Sequence, residues 1–186
     1  MGALAFLGGT GPEGLGLALR VAAAGEPVVI GSREAERARR AADTIRAALP
    51  HAEVQGHANP DALERADRVV LTFPFEGLTA FLGASAAALG RRLVIDVIVP
   101  LRFRAGFFEL APVNGAASVG ELIQRAAPAA RVVSAFKNLS AEKLRDLASP
   151  LEGDVLVCGN DPSAREEVAG LVRRMPGLRA IDAGGI

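Results

Sequence analysis

Gly9-Thr10-Gly11-Pro12-Glu13-Gly14 follows the spacing G-x-G-x-x-G, which suits the binding of a pyrophosphate. The first glycine of such a turn allows a tight bend. The second lets the backbone approach the anion, and the third lets the following helix pack on the preceding strand. Free N–H groups and the dipole at the helix start attract the negative charge, and the Thr10 hydroxyl is within reach of a phosphate. A chain with 21 glycines produces chance matches, so the pattern draws its weight from its setting. It follows the apolar run Ala3–Leu7 and opens a helical segment from Glu13 to about Ala24. Without those flanks, a glycine-rich turn with no ligand would be the ordinary reading.

The end of the next apolar run, Val28–Ile30, discriminates between cofactors. An NAD site places Asp or Glu there, ~20 residues beyond the glycines, to hold the ribose hydroxyls. Here the positions are Gly31-Ser32-Arg33, so a hydroxyl and a guanidinium stand where the 2′-phosphate of NADP would sit. Arg33 can pair bidentately with that phosphate and stack on adenine, and Arg37 lies one helical turn further on the same face. NADP is therefore the expected cofactor. The plainer alternative has Ser32 capping the helix and both arginines in solvent, since Glu34 and Glu36 make the segment charged all round.

At the far end of the chain, Lys137-Asn138 follows the run Arg131–Phe136. Lys137 and Lys143 are the only lysines among 21 basic residues, so a lysine emerging from a strand is a specific use of a compact, flexible ammonium. Lys137 is a candidate to hold a hydride acceptor, by charge or by donating to a carbonyl that gains electron density. Asn138 is the second candidate, and a lysine reaching into solvent is the bland reading.

Other chemistries fall away. Cys158 is the sole cysteine and His51 and His57 the only histidines, which excludes disulfides within one chain and cysteine-rich metal sites and argues against a histidine-based one; no metal is expected, and no histidine reaches the switch point that a Ser-His-Asp grouping would need. Cys158 reads as a small buried hydrophobe, and both histidines as surface residues near the sheet edge. Asp96 either contacts a ligand or caps a backbone turn. Phe103, Phe107 and Phe108 either wall a planar ring system or pack onto the core, and Arg102 and Arg104 either meet an anionic tail or are solvated. Basic and acidic residues balance at 21 each, which argues against nucleic acid or an acidic membrane as main partner. No apolar run nears the ~20 residues of a membrane span, and the first run lacks the basic flank of a signal peptide. A cytoplasmic protein is expected.

The elements that must position these residues alternate along the whole chain without a linker, so 186 residues predict one domain over 1–186. Strands are expected at Ala3–Leu7, Val28–Ile30, Arg68–Phe73, Leu93–Val99, Arg131–Phe136, Asp154–Cys158 and Leu178–Asp182, with a weaker one near Glu53–Gln55. Helices are expected between them, capped by Ser32, Asn59-Pro60, Ser140 and Asp161-Pro162. Pro100–Val119 has no clear period and reads as a long functional loop. Continuous apolar strands have both faces covered, and strand–helix–strand spacing predicts a doubly wound Rossmann-like α/β fold with a mainly parallel sheet, its ligand at the carboxyl ends of the strands.

Taken together, Leu7-Gly8-Gly9-Thr10-Gly11, Gly14-Leu15-Gly16-Leu17-Ala18-Leu19-Arg20 and Val29-Ile30-Gly31-Ser32-Arg33 resemble the NADPH-dependent reductases of the deazaflavin coenzyme F420. The likeness continues through Val70–Glu76, Val132–Phe136 and Val157–Asp161 to Asp182-Ala183-Gly184. The resemblance implies hydride transfer between NADP(H) and F420, with Thr72, Phe73 and Pro74 lining the nicotinamide-ribose end of the site. It places Phe136-Lys137-Asn138 at the space where a deazaflavin stacks, and it implies a homodimer. From the residues alone, a reductase of flavin, ferric chelate or a small imine, and a non-catalytic NADP-binding sensor, remain open.

Overall fold

The structure is a computed structural model that describes residues 2–186. Its sheet is built from β1 (Leu4–Leu7), β2 (Val28–Ser32), β3 (Val54–Ala58), β4 (Arg68–Leu71), β5 (Leu93–Asp96), β8 (Arg131–Ser134), β9 (Gly153–Gly159) and β10 (Leu178–Asp182). Their order across the sheet is β10-β9-β8-β5-β4-β1-β2-β3. A separate hairpin, β6 (Leu101–Arg104) and β7 (Phe107–Leu110), projects after β5. The helices are α1 (Pro12–Ala23), α2 (Ala35–Ala48), α3 (Asn59–Glu64), α4 (Leu78–Leu89), α5 (Val119–Ala126), α6 (Ala141–Arg145) and α7 (Pro162–Arg173).

Alternation along the strands divides the core into two layers. Leu4 and Phe6 of β1 pack with Leu17 and Val21 of α1, Ile45 of α2 and Val168 of α7. Ala5 and Leu7 point the other way, against Leu63 of α3, Leu78 of α4 and Ile123 of α5. Phe6 and Leu7 are wholly buried, each side chain contributing roughly 1.5–3 kcal/mol relative to exposure. This double cover accounts for the apolar runs through β1, β2, β4 and β5, whose only polar side chains stand at the strand ends.

Three features depart from the sequence expectation. β9 runs antiparallel to β8, and β10 follows β9 in parallel. The connection before β9 contains only the five-residue α6, ~7.5 Å of helix. The chain instead enters β9 from the carboxyl end of β8 and runs back beside it. Its outer face is thin: Leu156 and Ile181 are exposed. Second, the expected loop after Pro100 contains the β6–β7 hairpin, turned by Ala105 and Gly106, both at positive φ, a two-residue connection that matches the strand twist. Leu101, Phe103, Phe108 and Leu110 share one of its faces by register and are exposed, so these phenylalanines do not pack on the core. Third, α2 is capped at Glu34 and α3 at Ala58, rather than at Ser32 and Asn59. The caps at Ser140 and Asp161 form as expected: their side chains accept the N–H groups of Lys143 and Ser163.

Candidate functional site

β1 ends in a turn whose glycines do different work. A Cβ on Gly9 would stand 2.8 Å from the Phe6 Cβ, and one on Gly14 would stand 2.7 Å from Thr72 Oγ1; both positions are closed by packing. A Cβ on Gly11 would meet no heavy atom within 4 Å. Gly11 therefore leaves an open place beside the backbone, at the N-cap of α1. That helix begins with Pro12 and has no side-chain cap, so its first N–H groups are left for an anion. Glu13, half-buried in the first turn, carries a carboxyl that burial pushes above the usual range.

The turn is held from a distance. Gly8, at φ +75°, donates its N–H to Asn59 Oδ1 at 3.2 Å, and Gly9 donates to the carbonyl of Gly31 at 3.0 Å. A Cβ on Gly31 would lie 2.7 Å from that same Asn59 oxygen, so a glycine in β2 opens the passage through which α3 reaches the turn. Asn59, read from sequence as a local cap, is thus a positioning residue that local pattern could not reveal.

A cleft of about 810 Å³ lies over the carboxyl ends of β1, β2 and β4. Eight of the residues singled out from sequence line it: Thr10, Gly11, Ser32, Arg33, Arg37, Thr72, Phe73 and Pro74. Gly9, Pro12, Glu13 and Gly14 build the turn beneath it. Arg33 and Arg37 are exposed and, among the described residues, neither guanidinium has an ion-pair partner, whereas Arg39 and Arg40 of the same helix both meet Glu36. Two free cations and an open glycine on one cleft fit a nucleotide with a phosphate at each end of its reach. Ser32 is buried, its Oγ accepting the Glu34 N–H at 3.4 Å. Thr72 Oγ1 donates to the Leu7 carbonyl at 2.9 Å, and the Phe73 ring packs on Phe81 with centroids 4.9 Å apart. Sequence reasoning missed the α4 side of the cleft, where Ala80 and Ala84 present small side chains.

Lys137 and Asn138 lie outside that cleft, at the ends of β5 and β8. Lys137 Nζ donates to Asp96 Oδ2 at 2.6 Å and to the Ile98 carbonyl at 2.5 Å. It does not extend freely into solvent. Asn138 is exposed, and its amide donates to the Asp154 carbonyl at 2.8 Å. Asp96, for which a ligand contact and a turn cap stood open, accepts the Ile98 N–H at 2.9 Å as a cap does. Cys158 is half-buried rather than enclosed. His57 lies on the edge strand β3, beside Gln55. No cluster of metal-ligating side chains occurs among the described residues, and no helix among them is long and apolar enough to cross a membrane.

A doubly wound sheet with an uncapped glycine turn and free arginines at the end of β2 defines a dinucleotide-binding oxidoreductase fold of the Rossmann type. The profile of one family, described as NADP oxidoreductase coenzyme F420-dependent, matches residues 3–100. The chain is 37% identical over 190 residues to the F420-dependent NADP reductase of Methanocaldococcus jannaschii, covering 98% of this chain and 84% of that protein. It is likewise 37% identical to the enzyme of the same name from Methanothermobacter thermautotrophicus, covering 98% and 81%. A crystal structure from Arthrobacter sp. FB24, provisionally assigned as an F420-dependent NADP-reductase, superposes with a TM-score of 0.81 at 32% identity, covering 100% of this chain and 86% of that one. The chain belongs to the family of F420-dependent NADP oxidoreductases.

Proposed function

We propose that this protein transfers hydride between NADP(H) and coenzyme F420, using residues 1–186 as one NADP-binding unit. The observation that carries the reading is the convergence of Gly11, open to a ligand, with the unpaired Arg33 and Arg37 on one cleft. Thr10 and the start of α1 would hold the pyrophosphate, while Ser32, Arg33 and Arg37 would hold the 2′-phosphate. Thr72, Phe73 and Pro74 would flank the nicotinamide ribose. When bound, the nicotinamide supplies the hydride and the deazaflavin takes it up; the protein's task is to hold two rings face to face and exclude water. Lys137, one strand beyond β5, is assigned to the acceptor side, with Asn138 shaping the loop beside it. Relatives named for the same reaction support the acceptor. The protein is further assigned to the cytoplasm and to a homodimer.

The test is NADPH oxidation with F420, FMN and a ferric chelate in parallel. Turnover with F420 at least tenfold above the other two is expected. Faster reduction of FMN or ferric chelate would replace the acceptor. NADPH binding without turnover of any acceptor would make the protein a sensor.

A further inference from the structure

At the carboxyl edge next to β4, one carboxylate gathers an unusual set of partners. Asp96 ends β5, is fully buried, and stands beside Leu71 of β4 on one side and Ser134 of β8 on the other. Its Oδ1 accepts the Ile98 N–H, and its Oδ2 accepts both the Ser134 hydroxyl at 2.8 Å and the Lys137 ammonium at 2.6 Å. Room for the serine is made by α5: a Cβ on Gly120 would stand 2.6 Å from Ser134 Oγ. The chain reaches this arrangement at a conformational cost, because Phe136, fully enclosed, has φ +60°, a left-handed backbone unfavourable for a bulky residue. That turn brings Lys137 back over the end of β5. Two of its three N–H donors are used, on Asp96 and Ile98, and 31% of the side chain stays exposed.

Held by two bonds and still partly exposed, Lys137 has its third donor free to meet a ligand. We propose that Asp96 is a positioning residue, which with Ser134 and Ile98 fixes the Lys137 ammonium as a stationary cation facing the hydride acceptor. This rests on the functional reading above and deepens it. The acceptor it fits bears a carbonyl or anionic oxygen conjugated to the carbon that receives hydride. As the nicotinamide gives up two electrons with its hydride, negative charge collects on that oxygen beside the fixed cation. The proton that finally neutralises the reduced acceptor comes from solvent, and Lys137 keeps its own.

The composition provides a direct probe. With only Lys137 and Lys143 present, biosynthetic ¹³Cε-lysine labelling yields two lysine side-chain signals in the whole protein and leaves every ammonium N–H in place. In the parent, the Lys137 signal should stand apart from that of Lys143 and move when F420 is added. In Asp96→Asn it should collapse onto the Lys143 position. Unlabelled Asp96→Asn should lose at least tenfold in kcat/KM for F420 while its NADPH dissociation constant stays within twofold of the parent. Ser134→Ala, a milder change at the same oxygen, should lose severalfold and serves if Asp96→Asn does not fold. A folded Asp96→Asn, or in its place Ser134→Ala, with parental kcat/KM for F420 and an unmoved lysine signal overturns the role alone. Absence of turnover in the parent with any acceptor overturns the functional reading and the role with it.

Discussion

Gly11 and Gly14 lie three residues apart in one motif, and the structure predicts opposite consequences for the same added methyl group. At Gly11 the backbone has φ −76° and ψ 166°, which alanine adopts without strain, and the new Cβ meets nothing within 4 Å. Reduced freedom of the unfolded chain favours alanine by about 0.4–1 kcal/mol, offset by roughly 0.5–1 kcal/mol for alanine's poorer standing at an N-cap. Stability should therefore change by less than about 1 kcal/mol. The methyl would nonetheless fill the place the pyrophosphate needs, removing charge-assisted contacts worth roughly 1.5–3 kcal/mol. NADPH affinity should fall by about a hundredfold, or ~2.7 kcal/mol. At Gly14 the methyl would stand 2.7 Å from Thr72 Oγ1 and 2.9 Å from the Gly9 Cα; the second contact is with backbone and cannot swing aside. Overpacking of this kind costs about 1–3 kcal/mol, and each 1 kcal/mol lowers Tm by roughly 2–4 °C at this chain length. Fluorescence titration with NADPH alongside thermal unfolding reads both effects. A folded Gly11→Ala that binds NADPH within threefold of the parent would refute the assignment of the turn. So would a Gly14→Ala protein that melts with the parent.

Arg33→Ala should erase most of a preference for NADPH over NADH of at least tenfold, ~1.4 kcal/mol, and leave NADH affinity nearly unchanged; equal affinities in the parent would dismiss the 2′-phosphate role. Glu26 is buried with Arg68 at 2.6 Å and also meets Arg174, so Glu26→Gln strands a buried guanidinium and should cost about 3–5 kcal/mol in urea unfolding. A loss under ~1 kcal/mol would show the triad to be dispensable. Burial raises the Glu13 carboxyl above its ordinary 4.5, so the native state binds that proton more tightly than the unfolded chain does. Its contribution is then most favourable below about pH 4.5 and is lost as pH rises above that value. Glu13→Gln should accordingly raise Tm at pH 7 more than at pH 4, and an equal change at both would contradict the burial.

The sheet was legible because β1, β2, β4 and β5 are covered on both faces and carry no polar alternation. The cleft over the ends of β1, β2 and β4 was legible for a related reason. Its glycines, the missing acid after Ile30 and the arginines behind it are all local signals tied to strand ends. What escaped depends on contacts distant in sequence or on an unusual turn residue. Asn59-Pro60 has the local form of a helix start, and nothing nearby announces that its amide serves Gly8, 51 residues away. The β6–β7 hairpin has one alternating run before Ala105-Gly106, but Phe107-Phe108 breaks the alternation after it, and alanine stands at a positive φ where asparagine, aspartate or glycine is the usual signal. The reversal of β9 depends on where the chain goes after β8, which no local pattern in residues 135–152 announces. Lys137 was singled out for its type and its place at a strand end. Its anchor on Asp96 needed the pairing of β5 with β8, which no single segment discloses.

The bond from Asn59 to Gly8 ties the rim of the sheet to its centre. β3 is the edge strand on that side, where fraying begins in proteins of this kind, and α3 follows it directly and packs on β2 and β1. Because the first residue of α3 supplies the acceptor for Gly8, an opening of this edge that carries α3 with it also frees the Gly8 N–H of the turn. If the turn holds the pyrophosphate, such an opening and a loss of nucleotide affinity come together. A bound dinucleotide, by ordering the turn, lends part of its binding free energy to an edge it hardly touches.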